Sequence, residues 1–415
     1  MRWLGLNAYW LGVSFMWGAV HSLILPQLVD LRGGPARNTL YGLLTFAGLV
    51  VAMLTTPISG GSSDRTVTRW GRRQPWMLMG AVLAAGCLFG LVTARGAAGL
   101  ALWYLALQFC SNLAHGPGQG LIPDLVPDNQ RGVASGVKSL LDMLGVVAAA
   151  LVVSRVLAGA SGQFVRAAGI VAAVLLGSLV VTLREAKEAP SVPSSSARKT
   201  TVWSQLRAMY AMDLRVHGQY GRLLVSRFFV LLGIYAVQAF AYYFVSDVVR
   251  PADPSTTVGN LMAVIGVSVM VASYPAGTLS ERWGRKPLSV GACAIVAVGM
   301  ALLSQSQGVA AIVVLGALIG LGMGVFNAVN WAWATDLVPS AEAGRYLGLA
   351  NLATAGSAAV ARLVGPLIDL VNGWRPNAGY LVMFGIATAA ALAALAITLT
   401  LGKGSQPCAE SRSRP

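Results

Sequence analysis

Charge is what this sequence has least of. Asp, Glu, Lys and Arg make up 11% of its 415 residues, against roughly 25% in soluble globular chains, and that deficit excludes an ordinary water-soluble fold. Acid is scarcer than base, with 15 Asp and Glu against 30 Lys and Arg. Cysteine is sparse too. Cys87, Cys110 and Cys293 fall inside apolar runs and Cys408 in the terminal tail, so no disulfide framework is implied and the first three read as small packing residues. Also missing are a Walker loop, a GxGxxG at a strand–helix junction, a nucleophile elbow and any zinc-ligand spacing. Without them neither nucleotide hydrolysis nor covalent catalysis has machinery, and the reading is a non-enzyme with no cofactor and no bound metal.

Apolar residues fill the gap: 56% of the chain is hydrophobic and its mean hydropathy is +0.66. Uncharged stretches recur at Trp3–Val29, Asn38–Ser63, Trp76–Ala94, Gly96–Pro123, Phe228–Ser246, Pro254–Ser280 and Pro376–Gly402, each near or above the ~18 residues that suggest a bilayer-spanning helix. Pro287–Thr335 holds two more spans around a polar Ser304–Gly308 turn, and Gly132–Leu157, Gln163–Leu183 and Tyr346–Val371 complete a count of twelve. The expected fold class is therefore an all-α membrane protein with twelve transmembrane helices. The first apolar run exceeds a signal-peptide core and lacks a clear cleavage site, so it reads as a retained first span.

The formal charge of +15 is explained by position. With loops assigned alternately to two sides, one side receives 21 Lys and Arg and the other seven, while Lys138 and Arg362 stay within the membrane. Short basic loops remain cytoplasmic, which places both termini inside a bacterial cytoplasmic (inner) membrane. The basic excess encodes orientation, favours anionic lipid headgroups and needs no nucleic acid partner.

The longest polar stretch contains Pro190–Ser196, a Pro/Ser-rich linker signal. It divides the chain into a six-helix bundle at 1–183, a cytoplasmic linker at 184–222, a second six-helix bundle at 223–401 and a cytoplasmic tail at 402–415. An internal repeat supports the division. DLVPDNQRGVASG (Asp124–Gly136) and DLVPSAEAGRYLG (Asp336–Gly348) share six spaced positions at an offset of 212 residues, which Pro75 and Pro287 also keep. Six spans per half make the two halves parallel repeats.

Two charged loops carry the most specific signal. GGSSDRTVTRWGRRQP (Gly60–Pro75) joins spans two and three, and GTLSERWGRKP (Gly277–Pro287), its shorter echo, joins spans eight and nine. The pattern Gly-x-x-Ser-Asp-Arg, then Arg-x-Gly-Arg-Arg-x-Pro, resembles the loop signature of the major facilitator superfamily. Its widened spacer and Arg-Arg-Gln-Pro ending are most similar to the sugar/cation symporter branches: the plant sucrose/proton symporters with their relatives, and the glycoside-pentoside-hexuronide symporters. The resemblance implies two pseudo-symmetric bundles, proton-coupled symport and a cytoplasmic gate. The gate residues it implies are Asp64, Arg65, Arg69, Gly71, Arg72 and Arg73 in the first loop, Glu281, Arg282 and Arg285 in the second, and Asp124, Arg131, Asp336 and Arg345 at the DLVP segments. It further implies that Asp64 meets the helix start at Arg345–Gly348 and Glu281 the start at Arg131–Gly136, an acid beside a helix N-terminus being worth about 0.3–2 kcal/mol. The same arginines also enforce topology.

Ionisable groups at depth cost about 2.5–3.5 kcal/mol on insertion scales and are functional suspects. Lys138 and Asp142 are four residues apart on span five, hence on one helix face, while their repeat counterparts are Ala350 and Thr354. The pair is therefore not generic scaffolding: it is either a self-neutralising salt bridge or a protonation site at Asp142 tuned by Lys138. His21 in span one and Arg362 in span eleven are further coupling candidates, each with a packing or pairing alternative. In the resembled family spans one, four, seven and ten line the cavity, which nominates Gln108, Asn112, His115, Gln238, Tyr242, Asn327, Asn330 and Trp331 for substrate. Trp17, Trp103, Tyr235, Tyr243 and Trp333 are further sugar-stacking faces or, equally, helix-packing rings.

The expected function is secondary active transport of a small polar solute, a sugar or glycoside, by proton symport with alternating access, the chain acting as a monomer. Two alternatives stay open: proton-driven export of a drug or secondary metabolite, weakened because span five lacks the Gly-x3-Gly-Pro-x2-Gly-Gly cluster of many antiporters, and a non-transporting sensor of the same fold.

Overall fold

The computed structural model describes residues 2–158, 163–186, 188, 218–338 and 343–402. The greater part of the expected linker, including its Pro190–Ser196 signal, and residues 403–415 of the tail lie outside them. Among the described residues there are helices and no strands, as backbone without water requires: a helix satisfies its own N–H and C=O groups. Among the described residues, twelve helices are long and apolar enough to cross a membrane. They are α1 (Trp3–Arg32), α2 (Gly34–Asp64), α3 (Gln74–Thr93), α4 (Gly96–Leu125), α5 (Arg131–Leu157), α6 (Phe164–Glu185), α7 (Gly218–Val249), α8 (Pro254–Trp283), α9 (Arg285–Leu303), α10 (Val309–Asp336), α11 (Gly348–Trp374) and α12 (Ala378–Thr400).

Three irregularities bear on function. First, α1 and α7 each include a π-helical turn, at Val20–Ile24 and Val245–Val249, a feature frequent at functional sites. Second, α11 is interrupted at Leu363, between Ala343–Arg362 and Val364–Trp374. Third, α7 begins at Gly218, ten residues before the expected Phe228. The early start holds because its polar residues find partners: the Tyr220 hydroxyl donates to Tyr346 O at 2.5 Å, and Ser226 Oγ lies 2.7 Å from Thr398 Oγ1. Arg227, which the apolar pattern leaves outside the span, is consequently within it and buried.

The helices gather into two contact units. Unit 1 draws on Met1–Val202, Ala239–Ala263 and Arg362–Trp374, and unit 2 on Trp203–Gln238, Val264–Ala361 and Arg375–Pro415. Helices α7, α8 and α11 thus contribute segments to both. In unit 1, α1 packs on α5 and α6, and α4 on α2 and α3; in unit 2, α9 packs on α10 and α12. Unit 2 also has an aromatic core of Tyr220, Trp333 and Tyr346 with Leu223, Ala334 and Leu401. Trp333 and, in unit 1, Tyr243 are fully buried, so both are packing rings and neither is an open stacking face.

Candidate functional site

At the Asp64 end of unit 1 the charged loop folds on a glycine. Gly71 sits at φ +90° and its echo Gly284 at φ +89°, a region that residues with a Cβ rarely enter, which explains the shared Trp-Gly-Arg. The turn delivers two guanidiniums to two carboxylates. Arg73 Nε donates to Asp124 Oδ2 at 2.5 Å and its Nη2 lies 3.1 Å from Asp64 Oδ1, while Arg72 reaches Asp124 at 2.8 Å and Asp64 at 3.9 Å. The hydrogen bond to Asp124 raises the Arg72 pKa, so this cation stays charged at any working pH. Asp124 is therefore a partner of the loop arginines, whereas Arg131 donates to the carbonyls of Val126 and Pro123. A residue outside the motif completes the network: Glu188 Oε2 accepts from the backbone N–H of Arg73 at 3.0 Å, capping the start of α3 from the far side of α6. No pattern in the sequence marks Glu188.

The echo loop of unit 2 is simpler. Arg285 Nε donates to Asp336 Oδ2 at 3.0 Å, and its Nη1 to Ser280 Oγ. Glu281 and Arg282 are exposed, and Glu281 makes no ion pair with a described residue. Arg65 and Arg69 are exposed as well, Arg69 lying over the Trp70 ring at 5.9 Å. The side chain of Arg345 lies outside the described residues.

Within the membrane, unit 1 assembles a compact cluster from α1, α4 and α5. Lys138 Nζ meets Asp142 Oδ2 at 2.9 Å, Ser14 Oγ donates to Asp142 Oδ1 at 2.9 Å, and Lys138 stands 3.9 Å above the Trp10 ring. Trp10 in turn makes an edge contact with His115, centroids 4.9 Å apart. The pair is not sealed: the two side chains keep 29% and 30% of their surface accessible. The Asp142 carboxylate is thus held by a cation on one oxygen and by a hydroxyl on the other.

A second chain of bonds runs beside it. His21, within the π-helical turn, stacks on Trp17 at 4.8 Å and places Nε2 3.0 Å from the Tyr104 hydroxyl. Gln108 Nε2 donates to that hydroxyl at 2.8 Å, Asn112 donates to Gln108 O at 2.8 Å, and Thr56 donates to Asn112 Oδ1 at 3.1 Å. Gln108 and Asn112 are buried; Gln108 bonds within α4, and Asn112, accepting from Thr56 and Ser59, ties α2 to α4. Arg362 stands at the interruption of α11, in unit 1.

The opposite end of unit 1 carries a charge network absent from any sequence motif. Arg37 at the start of α2 binds both Asp30 and Asp247. Asp369 accepts from Asn38 Nδ2 at 2.7 Å and from the Thr39 backbone N–H at 2.6 Å, so a carboxylate of α11 caps the N-terminus of α2. Tyr243 donates to Pro26 O at 3.1 Å, and Tyr242, also buried, packs edge-on against it at 5.8 Å.

In unit 2, Arg227 of α7 donates from Nε to Thr354 Oγ1 and from Nη1 to Asn330 Oδ1, both at 3.0 Å, and lies 5.7 Å from the Trp331 ring. Asn327 is half-buried on the same helix as Asn330, and Gln238 is exposed. Asn330 and Trp331 are thus brought to one cation, which the charge-free definition of a span had hidden.

Residues 10–346 match the family described as MFS/sugar transport protein. Among relatives, the lactose permease of Lactobacillus helveticus is 26% identical over 391 residues, covering 85% of this chain and 58% of that protein. The sucrose transport protein SUC4 of Arabidopsis thaliana is 29% identical over 154 residues, 33% of this chain and 30% of its own. The chain therefore spans less than two thirds of the length of these relatives. Among solved structures, a bacterial homologue of the human lysosomal transporter Spinster superposes with a TM-score of 0.73 at 13% identity, covering 97% of this chain and 96% of its own. A D-xylose-proton symporter gives 0.69 at 17% identity, covering 97% and 98%; at these identities the likeness is one of fold. With twelve membrane-crossing helices and a family match over most of its length, the chain is an integral, multi-pass membrane protein that belongs to the MFS/sugar transport protein family.

Proposed function

We propose that the chain is a secondary active transporter that takes up a sugar or glycoside by proton symport, alternating access between two faces of a bacterial cytoplasmic membrane. The observation that carries the reading is the Lys138–Asp142–Ser14 cluster against Trp10 and His115. It puts a titratable carboxylate, partly accessible, next to an aromatic face and hydrogen-bonding groups in the middle of a transport fold. Protonation of Asp142 frees Lys138 and Ser14, so proton occupancy and local structure are linked. The relatives named for lactose and sucrose support the substrate class.

The division into sequence halves 1–183 and 223–401, joined by 184–222, follows the repeat, and the basic loops orient the Asp64 end towards the cytoplasm. In that frame the Asp64–Arg72–Arg73–Asp124 network is the inner gate and the Asp30–Arg37–Asp247 network with the Asp369 cap is the outer one. A single chain suffices for the cycle.

Reconstitution in liposomes tests the reading, with a panel of mono- and disaccharides and with or without an inward proton gradient. Wild type should accumulate a sugar only with the gradient. Asp142→Asn should lose accumulation while retaining sugar exchange. Full accumulation in that variant would move the proton site elsewhere, and absence of flux for every sugar would end the sugar reading.

A further inference from the structure

The π-helical turn that carries His21 does not satisfy its own backbone. In this register the N–H of Leu25 goes to Val20 O, so it is withdrawn from His21 O, its partner in an α-helix. The next backbone group that could serve His21 O is that of Pro26, which has no N–H. A carbonyl left unserved inside a bilayer is costly. The donor comes from another helix: Tyr41 of α2 gives its hydroxyl to His21 O at 2.8 Å. Tyr41 is fully buried, and its ring is met edge-on by Phe240 and Tyr243 of α7. Tyr243 in turn donates to Pro26 O at 3.1 Å, so hydroxyls from two neighbouring helices close on the same stretch of α1.

Pro26 costs α1 one backbone donor whichever register the turn adopts. In an α register Leu25 returns to His21 O, and the orphan is Ser22 O, four residues before the proline. In the π register the orphan is His21 O. Tyr41 serves the second, and that bond offsets the ordinary preference for α geometry. The choice matters on both sides of the turn. Before it, Ser14 binds Asp142; at it, His21 Nε2 lies 3.0 Å from the Tyr104 hydroxyl; beyond it, Asp30 binds Arg37. A π turn holds one residue more than an α turn, and one residue is about 100° of rotation around the axis. Reversion to α therefore turns the segment Leu25–Arg32 against the rest of α1 and carries Asp30 away from Arg37.

We propose that Tyr41 is a positioning residue of the transport cycle: while its hydroxyl holds His21 O, α1 keeps the π register that closes the Asp30–Arg37 pair, and its release lets the turn revert to α and the pair open. The proposal rests on the transport reading and adds to it an element that links the Ser14–Asp142 site to the Arg37 network along one helix.

Spin-label distances in nanodiscs read the rotation. With the four native cysteines replaced, labels enter through Leu31→Cys and Leu102→Cys, exposed positions on α1 and α4, and through Leu4→Cys with Leu102→Cys as the control on the other side of the turn. Counterflow of sugar in liposomes reads the cycle. Tyr41→Phe keeps the ring and removes the donor, so both registers leave a carbonyl unserved. The ratio of displaced to original Leu31–Leu102 distance should then rise roughly 5- to 150-fold, the Leu4–Leu102 distance should stay, and counterflow should slow. 4-Aminophenylalanine at position 41, which keeps an N–H donor in the same place, should restore both readings. Pro26→Ala, with Tyr41 intact, should displace the first distance and slow counterflow as well, because the α register then has an N–H for every carbonyl; it carries the test if Tyr41→Phe does not fold. An unmoved Leu31–Leu102 distance in either variant overturns the proposal. A displacement that 4-aminophenylalanine leaves in place overturns it too, by making the ring and not the hydroxyl the support, and displacement with unchanged counterflow removes Tyr41 from the cycle. If wild type exchanges no sugar, the transport reading fails and the role in the cycle falls with it, whereas the register is still decided by the distances, which are read without sugar.

Discussion

Arg73 shows how one side chain can hold a loop. Its guanidinium is largely buried, bonds Asp124 at 2.5 Å and Asp64 at 3.1 Å, and passes so close to Gly120 that a Cβ there would lie 2.0 Å from its Cζ. Arg73→Ala and Gly120→Ala should therefore remove the same interactions, one by deletion and one by eviction. Each should cost about 1.5–3 kcal/mol, the worth of a hydrogen bond to a charged group, read as a lower melting temperature in detergent. Because both act on one network, the double variant should melt no lower than the worse single; additive losses would mean that Arg73 remains bound when Gly120 is filled. At this scale the charged loops were legible, since Asp64, Arg72, Arg73 and Asp124 belong to spaced motifs. Glu188 and Arg227 were not. Glu188 works through a backbone N–H that any sequence possesses, and Arg227 adjoins the edge of an apolar run, where a charge reads as the end of a span.

Among elements, the packing of α2 on the second segment of α11 is set by two glycines. A Cβ on Gly42 would meet Arg362 O at 2.3 Å, and one on Gly365 would meet Asn38 O at 2.3 Å. Backbone cannot yield as a side chain does, so Gly365→Val should separate the helices and loosen the Asp369 cap on Asn38 and Thr39. Overpacking of this kind costs about 1–3 kcal/mol, and Gly373→Val, where nothing lies within 4 Å, is the matched control on the same helix. A melting temperature lowered in the first and unchanged in the second is the expected result; equal melting would show that the contact bears no load. The existence of all twelve helices could be read from hydropathy because a bilayer demands long apolar runs. Their internal breaks could not. The π-helical turn at His21 and the interruption at Leu363 are choices among backbone hydrogen-bond patterns that leave apolar composition unchanged.

For the whole molecule, the repeat announced two related halves, yet the groups that pair at the Arg37 end, Arg37 with Asp247 and Asn38 with Asp369, are 210 and 331 residues apart in sequence, and a motif has no reach over such separations. Asp30, Arg37 and Asp247 belong to one network, with acids from α1 and α7 converging on the first turn of α2. If that network is the outer gate, breaking it should populate an opened state without unfolding the chain. Removing one member of a hydrogen-bonded charge pair costs about 2–5 kcal/mol, and each 1.4 kcal/mol is a tenfold change in population, so Arg37→Asp or Asp247→Arg alone should raise the opened fraction at least tenfold. Hydrogen–deuterium exchange in nanodiscs reads this directly, as faster exchange of peptides covering the first turns of α2 and the last turns of α7. The combined Arg37→Asp, Asp247→Arg chain recreates an opposite-charge pair between the same two helices and should recover slow exchange, although Asp30 then faces a like charge and keeps recovery partial. Exchange in the single variants as slow as in wild type would show that the ion pairs decorate a closure made by the apolar packing of Tyr41 and Tyr243, whose rings meet at 5.7 Å, and the gate would then have to be sought in those rings.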